Sequence, residues 1–212
     1  QGFTIFYIGI NLGAFFASIL VGFVGEVYGW HYGFSLAGFG MIVGQIFFIR
    51  GKKHFQIESK HRSAIERKNL TKIQIDRIKL IIIASLILII FWAAFEQAGG
   101  LLNIYAYEKT NRFLDFINFE IPASCFQSIN PLMIIIFGYF ISLIWLKLEA
   151  KNYINSSILK IAIGIMIMGS GFIFMFFASI EADTYGKSSM YWLVLAYTLI
   201  TIGELCASPV IL

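Results

Sequence analysis

The sequence predicts an all-α, polytopic membrane protein with six transmembrane helices. Hydrophobic residues make up 58% of the 212 residues and charged residues only 13%, whereas soluble domains carry about 25% charged residues. The mean hydropathy is +0.79. A membrane-crossing helix needs about 20 apolar residues, and a backbone in lipid must satisfy its own hydrogen bonds. The predicted spans are Phe3–Val24, Tyr32–Ile49, Leu80–Leu102, Ala123–Leu146, Ile161–Ile180 and Met190–Leu212.

The first two spans are predicted to form a hairpin around the turn Gly25–His31. Span 1 carries Tyr7 and Asn11 one helical turn apart, and Asn11 lies about 12 Å into the span, near the midplane. An amide at that depth either holds helices together across a bundle or faces a wet cavity, and its chemistry alone leaves both interpretations open.

A basic loop, residues 51–79, follows span 2, so that two spans precede it and four follow it. The segment Arg50–Lys79 holds ten of the sixteen Lys and Arg residues, and alternating the spans places thirteen of the sixteen on the same side. Positive charge marks the cytoplasmic side. Between two spans, such a loop indicates contact with anionic lipid rather than nucleic acid. Thr71 and Gln74 fit a capping box, which predicts that a helix begins near Leu70.

Span 3 carries a carboxylate near its outer end. Glu96 follows the apolar run Leu80–Phe95, with Trp92 one turn before it and Gln97 beside it. A carboxylate in hydrocarbon is normally neutral, paired or facing a wet cavity. A carboxyl group that takes up and releases a proton at this depth predicts a proton-coupled transporter.

Span 4 has a polar start, because Gln127, Ser128 and Asn130 come directly before Pro131. Asn130 lies about 12 Å into the span, at the depth of Asn11 in span 1. Its chemistry again leaves helix packing and ligand contact open. For Ser128 we favour helix packing. Span 5 is predicted from its length and apolar character alone.

Span 6 carries a second carboxylate, Glu204, about 21 Å from its outer end. Tyr197, Thr201, Glu204 and Ser208 follow one another at helical spacing and share one face. For Thr201 we favour helix packing, whereas the cost of placing a carboxylate in a membrane favours a functional role for Glu204. Together, the polar side chains at mid-depth and Glu96 above them match an alternating-access transporter.

The sequence offers no pattern for catalysis or for a bound metal. Cys125 and Cys206 lie in or beside spans, where cysteine behaves as a small hydrophobe, and their spacing matches no ligand motif. We expect no enzymatic activity and no cofactor, with the proton as the coupling ion.

Four motifs resemble those of the proton-dependent oligopeptide transporter family of the major facilitator superfamily. Phe6–Gly13 (FYIGINLG) is similar to the family's fifth-helix signature FYxxINxG, and Phe91–Gly99 (FWAAFEQAG) to its seventh-helix FWxxFEQxG. Phe126–Pro131 (FQSINP) resembles its eighth-helix motif, and Gly203–Val210 (GELCASPV) its tenth-helix GELxxSPxG. The four occur in order along almost the whole chain.

The resemblance implies a partial major facilitator fold, covering about helices 5 to 10. Residues 1–50 would be the last two helices of the N-terminal six-helix half, 51–79 the loop between the halves, and 80–212 the first four helices of the C-terminal half. We therefore expect the chain to be an internal piece of a longer, multi-pass protein of the cell membrane.

The resemblance also implies residue roles in the proton-coupled symport of di- and tripeptides. Glu96 would belong to the proton-coupled outer gate. Substrate would be bound by Asn11, Trp92, Asn130 and Glu204. Further candidates for lining the pocket are Tyr7, Gln97, Tyr197 and Ser208.

The expected partners are a di- or tripeptide, protons and the lipid bilayer, without nucleic acid, and the intact protein is expected to be a monomer. Two alternatives stay open: a major facilitator symporter for another small solute, and a non-transporting membrane receptor that senses peptides.

Overall fold

The computed structural model describes residues 2–54, 71–151 and 157–211, without the side chains at 2–5, 157 and 208–211. Most of the basic loop, residues 55–70, therefore lies outside the described residues. Within the described part, six helices are long and apolar enough to cross a membrane, which confirms the predicted all-α, multi-span architecture. The α-helices are α1 (Gly2–Tyr28), α2 (Trp30–Gly51), α3 (Lys72–Phe95), α4 (Leu101–Lys109), α5 (Ile129–Ala150), α6 (Ser157–Tyr185) and α7 (Met190–Ile211).

The turn between α1 and α2 is tighter than predicted. Instead of the loop Gly25–His31, Gly29 alone separates the two helices. Its φ of 117° lies in a region that glycine adopts readily and other residues avoid. The helices then approach closely, because a Cβ added to Gly33 would lie 2.9 Å from the carbonyl oxygen of Val21.

Helix α3 begins as predicted and ends earlier than predicted. Thr71 and Gln74 form both hydrogen bonds of the capping box, at 2.8 and 3.4 Å. The predicted span Leu80–Leu102 lies within the membrane-length segment Lys72–Lys109. It is not one continuous α-helix, because a 3₁₀ turn, Glu96–Ala98, separates α3 from α4. Gly100 follows this turn with φ −95° and ψ −95°, and glycine is a poor helix former.

The helix that contains Asn130 also starts differently from an ideal span. Residues Ala123–Ser128 form a 3₁₀ helix that leads directly into α5, and Pro122 stands at its N-cap position. Pro131 lies in the first turn of α5, where a missing N–H breaks no intrahelical hydrogen bond.

Short strands, which the sequence analysis did not predict, join the helix ends on the side assigned to the outside. They are β1 (Thr110–Asn111), β2 (Phe113–Leu114), β3 (Phe119–Glu120) and β4 (Ser188–Ser189). β1 pairs in parallel with β4, with Thr110 opposite Ser188, and β2 pairs antiparallel with β3. The hydroxyl of Tyr105 donates to Ser188 Oγ at 3.1 Å. These contacts tie the end of α4 to the link between α6 and α7.

The most extensive helix packing in the described part is between α6 and α7, where glycines let the backbones meet. A Cβ on Gly164 would lie 2.7 Å from the carbonyl oxygen of Gly203, and a Cβ on Gly203 would lie 2.6 Å from that of Gly164. Small residues at helix interfaces are the usual means of close approach in membranes. The main core of buried hydrophobic residues is formed by Phe91, Leu102, Ala106, Ala123, Phe126, Met168, Leu193, Tyr197, Ile200 and Ala207.

Candidate functional site

Glu204 lies at the interface of α5 and α7 and is hydrogen-bonded to Asn130. The side-chain amide of Asn130 donates to Glu204 Oε2 at 2.9 Å, and only 8% of the surface of Glu204 is exposed. The chain thus brings together two residues that the sequence analysis predicted to bind substrate, although 74 positions separate them.

No cation neutralises Glu204 within the part of the chain that the structure describes. The ion pairs there lie elsewhere: Lys79 with Asp76, Arg112 with Glu120, and Lys160 with Glu149. Because a buried carboxylate needs a partner, an amide alone leaves Glu204 suited to receive a positively charged group.

Hydrogen bonds run from Asn130 along α7 to the turn that carries Glu96. The amide of Asn130 also reaches Thr201 Oγ1 at 3.1 Å, and the Thr201 hydroxyl donates to the carbonyl oxygen of Tyr197 at 2.7 Å. The Tyr197 hydroxyl donates in turn to the carbonyl oxygen of Ala98 at 2.7 Å. Thr201 thus makes the helix-packing contacts that the sequence analysis favoured for it. Tyr197 is buried and links α7 to the Glu96–Ala98 turn.

Glycine packing fixes the direction of the Glu204 side chain. Gly203, the preceding residue, lies against the backbone of α6, where an added Cβ would be 2.7 Å from the backbone nitrogen of Met168. Because this face of α7 is held against α6, the next residue along the helix points toward α5 and Asn130.

Glu96 is exposed, in contrast to Glu204, and stands at the junction between α3 and the 3₁₀ turn. Within the described residues its carboxylate has no hydrogen-bond partner or ion pair. Trp92, one turn earlier, is 38% exposed and meets Phe95 edge-on with ring centroids 5.3 Å apart. Gln97 is exposed, and its amide donates to the carbonyl oxygen of Ala93 at 3.0 Å.

Asn11 lies on α1 and is not in hydrogen-bond contact with the Asn130–Glu204 pair. Its side chain is 6% exposed, and its amide donates to the carbonyl oxygen of Tyr7 at 2.9 Å. Tyr7 is half-buried, one turn away on the same helix. Ser208, the remaining predicted residue, belongs to α7, but its side chain lies outside the described residues.

Glu26 is a residue of interest that the sequence analysis missed. Its carboxylate accepts the backbone N–H groups of Ala123 and Ser124, at 2.9 and 2.7 Å. In the sequence, Glu26 is one acidic residue among several near span ends. Only its position one turn after Gly22 would have marked it.

A resident metal has no evident place in the described residues, which contain no group of three His, Cys, Asp or Glu side chains that could bind one. The polar groups that meet at the site are the carboxylate of Glu204, the amide of Asn130 and the hydroxyl of Thr201.

A profile of the POT family matches residues 1–80 and 58–212, which together span the chain. The chain belongs to the POT family. As a POT-family protein with six apolar membrane-length helices, it is a multi-pass protein of the cell membrane.

Curated relatives of this POT-family chain include two named for peptide transport. Peptide transporter YePEPT of Yersinia enterocolitica is 30% identical over 275 residues, covering 99% of this chain and 53% of the relative. The Di-/tripeptide transporter of Lactococcus lactis is 27% identical over 271 residues, covering 99% of this chain and 54% of the relative. The chain therefore spans about half the length of the curated relatives it matches.

Solved structures share the fold of this POT-family chain. A crystal structure of peptide transporter POT in complex with sulfate matches with a TM-score of 0.73 at 27% identity, covering 99% of this chain and 54% of that one. A POT family transporter in complex with 5-aminolevulinic acid matches with a TM-score of 0.69 at 25% identity, covering 99% and 55%. These matches confirm the predicted partial major facilitator fold.

Proposed function

We propose that the full-length protein moves di- and tripeptides across the cell membrane by proton-coupled symport with alternating access. This chain supplies six of its helices. Residues 1–50 belong to the N-terminal half, 51–79 form the loop between the halves, and 80–212 begin the C-terminal half. Membership in the POT family and relatives named for peptide transport support this proposal.

The observation that carries the proposal is the hydrogen bond between Asn130 and Glu204 at the α5–α7 interface. Every peptide with a free amino end carries an ammonium group, and a buried carboxylate with no cationic partner among the described residues attracts one. Charge-assisted hydrogen bonds of this kind are about twice as strong as neutral ones. An amide beside the carboxylate adds a donor and an acceptor for the peptide backbone.

We assign to the other predicted residues the roles that the family resemblance implies. Glu96 is the proton-coupling group, a role that the family resemblance implies for the carboxylate of the seventh-helix motif. Asn11 and Trp92 complete the substrate contacts from α1 and α3. Tyr7, Gln97, Tyr197 and Ser208 line or support the pocket.

Transport on this proposal needs no covalent chemistry and no bound cofactor, since the proton is the coupling ion. The partners are peptide, protons and the lipid bilayer, without nucleic acid, and the intact protein acts as a monomer.

Uptake by the full-length protein in sealed vesicles tests the proposal. With an acidic exterior, labelled dipeptide should accumulate inside, and a protonophore should abolish the accumulation. Peptides should compete with the labelled substrate, whereas unrelated small solutes should not. Binding without uptake would indicate a peptide-sensing receptor, and competition by another solute class would indicate a different symporter.

A further inference from the structure

The contact between Glu26 and the start of the α5 segment uses both oxygens of one carboxylate. The N–H of Ala123 donates to Oε2, and the N–H of Ser124 donates to Oε1. These N–H groups stand at the beginning of the 3₁₀ helix Ala123–Ser128, where backbone donors have no partner within the helix. A negative charge is favourable at that end, so Glu26 on α1 acts as a cap for a helix 97 positions away.

Two further contacts extend this one along the same end of α1. Gly22, one turn before Glu26 and on the same face, lies so close to Ser124 that an added Cβ would be 2.4 Å from Oγ and 2.8 Å from Cβ. The rings of Phe23 and Phe119 are stacked with centroids 6.3 Å apart. Three positions of α1 within about one turn therefore meet the segment that precedes α5.

The contact joins the outer ends of the two proposed halves of the transporter. On the proposed domain division, α1 belongs to the first half of the protein and α5 to the second. In alternating access the two halves rock around a central site, so contacts between their outer ends exist only while the outer passage is closed. The 3₁₀ helix also leads directly into α5, which carries Asn130.

We propose that Glu26 and Gly22, docked on the 3₁₀ helix Ala123–Ser128, form a latch that closes the outer end of the substrate passage and must open before substrate enters. The latch rests on the proposed transport function. Opening it shifts the segment that ends at Asn130, so the state of the outer passage is linked to the Asn130–Glu204 contact.

Paired spin-label distances in the full-length, cysteine-free protein in membranes test the latch. One pair reports on the outer ends, with labels at the exposed positions Val27 and Phe116. The other reports on the inner ends, with labels at the exposed positions Ile49 and Leu146. In the otherwise wild-type protein, we expect the short outer distance and the long inner distance to predominate.

Weakening the latch should move the two distances in opposite directions. Glu26→Gln keeps one acceptor oxygen and turns the other into a donor that faces an N–H, and Glu26→Ala removes both. We expect each to increase the ratio of long to short outer distances by about tenfold, with a matching increase in short inner distances. Gly22→Ala should act in the same direction by pushing α1 off Ser124.

Two comparisons separate the latch from a general loss of stability. Glu108→Gln removes the same charge from the wall of the cavity that Glu26 and Ala123 also line, and it should leave both distances unchanged. Adding Ser124→Gly to Gly22→Ala removes the two clashing side-chain atoms, and the third-nearest atom, a backbone carbon, lies at an ordinary contact distance of 3.7 Å. That double variant should restore the closed distances.

The outcomes distinguish the latch from the proposed function. Unchanged distances in Glu26→Ala would overturn the latch, and so would a longer outer distance without a shorter inner one, which is the result expected of a local cap. Dipeptide uptake by the wild-type protein is measured in the same vesicles. Absence of that uptake would overturn the proposed function, whereas normal uptake with unmoved distances would overturn the latch alone.

Discussion

At the scale of single residues, the two carboxylates that the sequence singles out occupy opposite environments. Glu204 is 8% exposed and held by the amide of Asn130, whereas Glu96 is exposed at the junction of α3 and a 3₁₀ turn. A buried carboxylate gains from an organic cation, whereas the carboxylate of Glu96 has no hydrogen bond or ion pair within the described residues. This difference in environment supports the proposal that Glu204 binds substrate and Glu96 couples the proton.

Replacing Glu204 with Gln should weaken the binding of peptides with a free amino end more than that of N-acetylated peptides. The ammonium loses a charge-assisted hydrogen bond, a contribution of about 1.5–3 kcal/mol, which corresponds to at least about a tenfold rise in Kd. Acetylation removes the ammonium charge, so the Kd of the acetylated peptide should change little in the variant.

The measurement is the Kd of both peptides for wild-type and variant full-length protein. Thr198→Val is a suitable control, because the Thr198 hydroxyl bonds to Val194 on its own helix. Equal losses for the two peptides in Glu204→Gln would instead assign Glu204 to helix packing.

Replacing Glu96 with Gln should abolish proton-driven accumulation and spare part of the counterflow exchange. Gln has nearly the same shape but does not titrate, so substrate can still cross while the proton no longer contributes. Accumulation and counterflow are measured in the same vesicles, with and without a pH gradient. Accumulation that still follows the gradient in the variant would remove Glu96 from the coupling step.

The sequence predicts those site residues that are polar and lie within apolar spans. Asn130 and Glu204 stand out because polar groups are rare in apolar spans, and the depth estimate placed both near mid-membrane. The structure brings them into hydrogen-bond contact. Glu26 could not be recognised in this way, because acidic residues at span ends are common. Its partners are backbone N–H groups, which leave no trace in the sequence.

At the scale of helices, span positions follow from apolar length, but irregular ends do not. The sequence predicted the capped start at Thr71 through a side-chain motif. It missed the break at Glu96–Ala98, where Gly100 disfavours a helix and Tyr197 bonds to Ala98. It also missed the 3₁₀ start of the α5 segment, whose first N–H groups bond to the distant Glu26. The two-residue strands are too short to carry a periodic pattern.

The α6–α7 contact yields a prediction at this scale. Gly203→Ala places a Cβ 2.6 Å from the Gly164 carbonyl oxygen and 2.7 Å from the Met168 nitrogen. These are backbone atoms that move only with the helix. We expect a loss of about 1–3 kcal/mol in stability, together with weaker peptide binding, because Glu204 is the next residue.

Thermal unfolding of the purified full-length protein measures this effect. Gly169→Ala is the matched control, since it makes the same substitution on α6 where nothing lies within 4 Å. It should leave stability unchanged or slightly improved, because alanine is the better helix former. A similar loss of stability in both variants would show that the close contact is not the cause.

At the scale of the whole molecule, the proposed site needs surfaces from both halves of the protein. The described helices place Asn130 and Glu204 on one side of it, and the chain covers 53% of the length of a curated relative. We therefore expect that vesicles containing only these 212 residues take up no more dipeptide than empty vesicles. Proton-driven uptake by this chain alone would contradict the proposed arrangement.

The pairing of β1 with β4 also bears on how the protein is made. Tyr105 and Ser188 are 83 positions apart, and α5 and α6 lie between them in the chain. During synthesis, β1 at the end of α4 emerges long before its partner strand β4. The two strands can therefore pair only after α5 and α6 have entered the membrane. Contacts of such high sequence separation form slowly and leave a partly folded state exposed. The α4 end is therefore the place where a chain interrupted before Ser188 would be open to degradation.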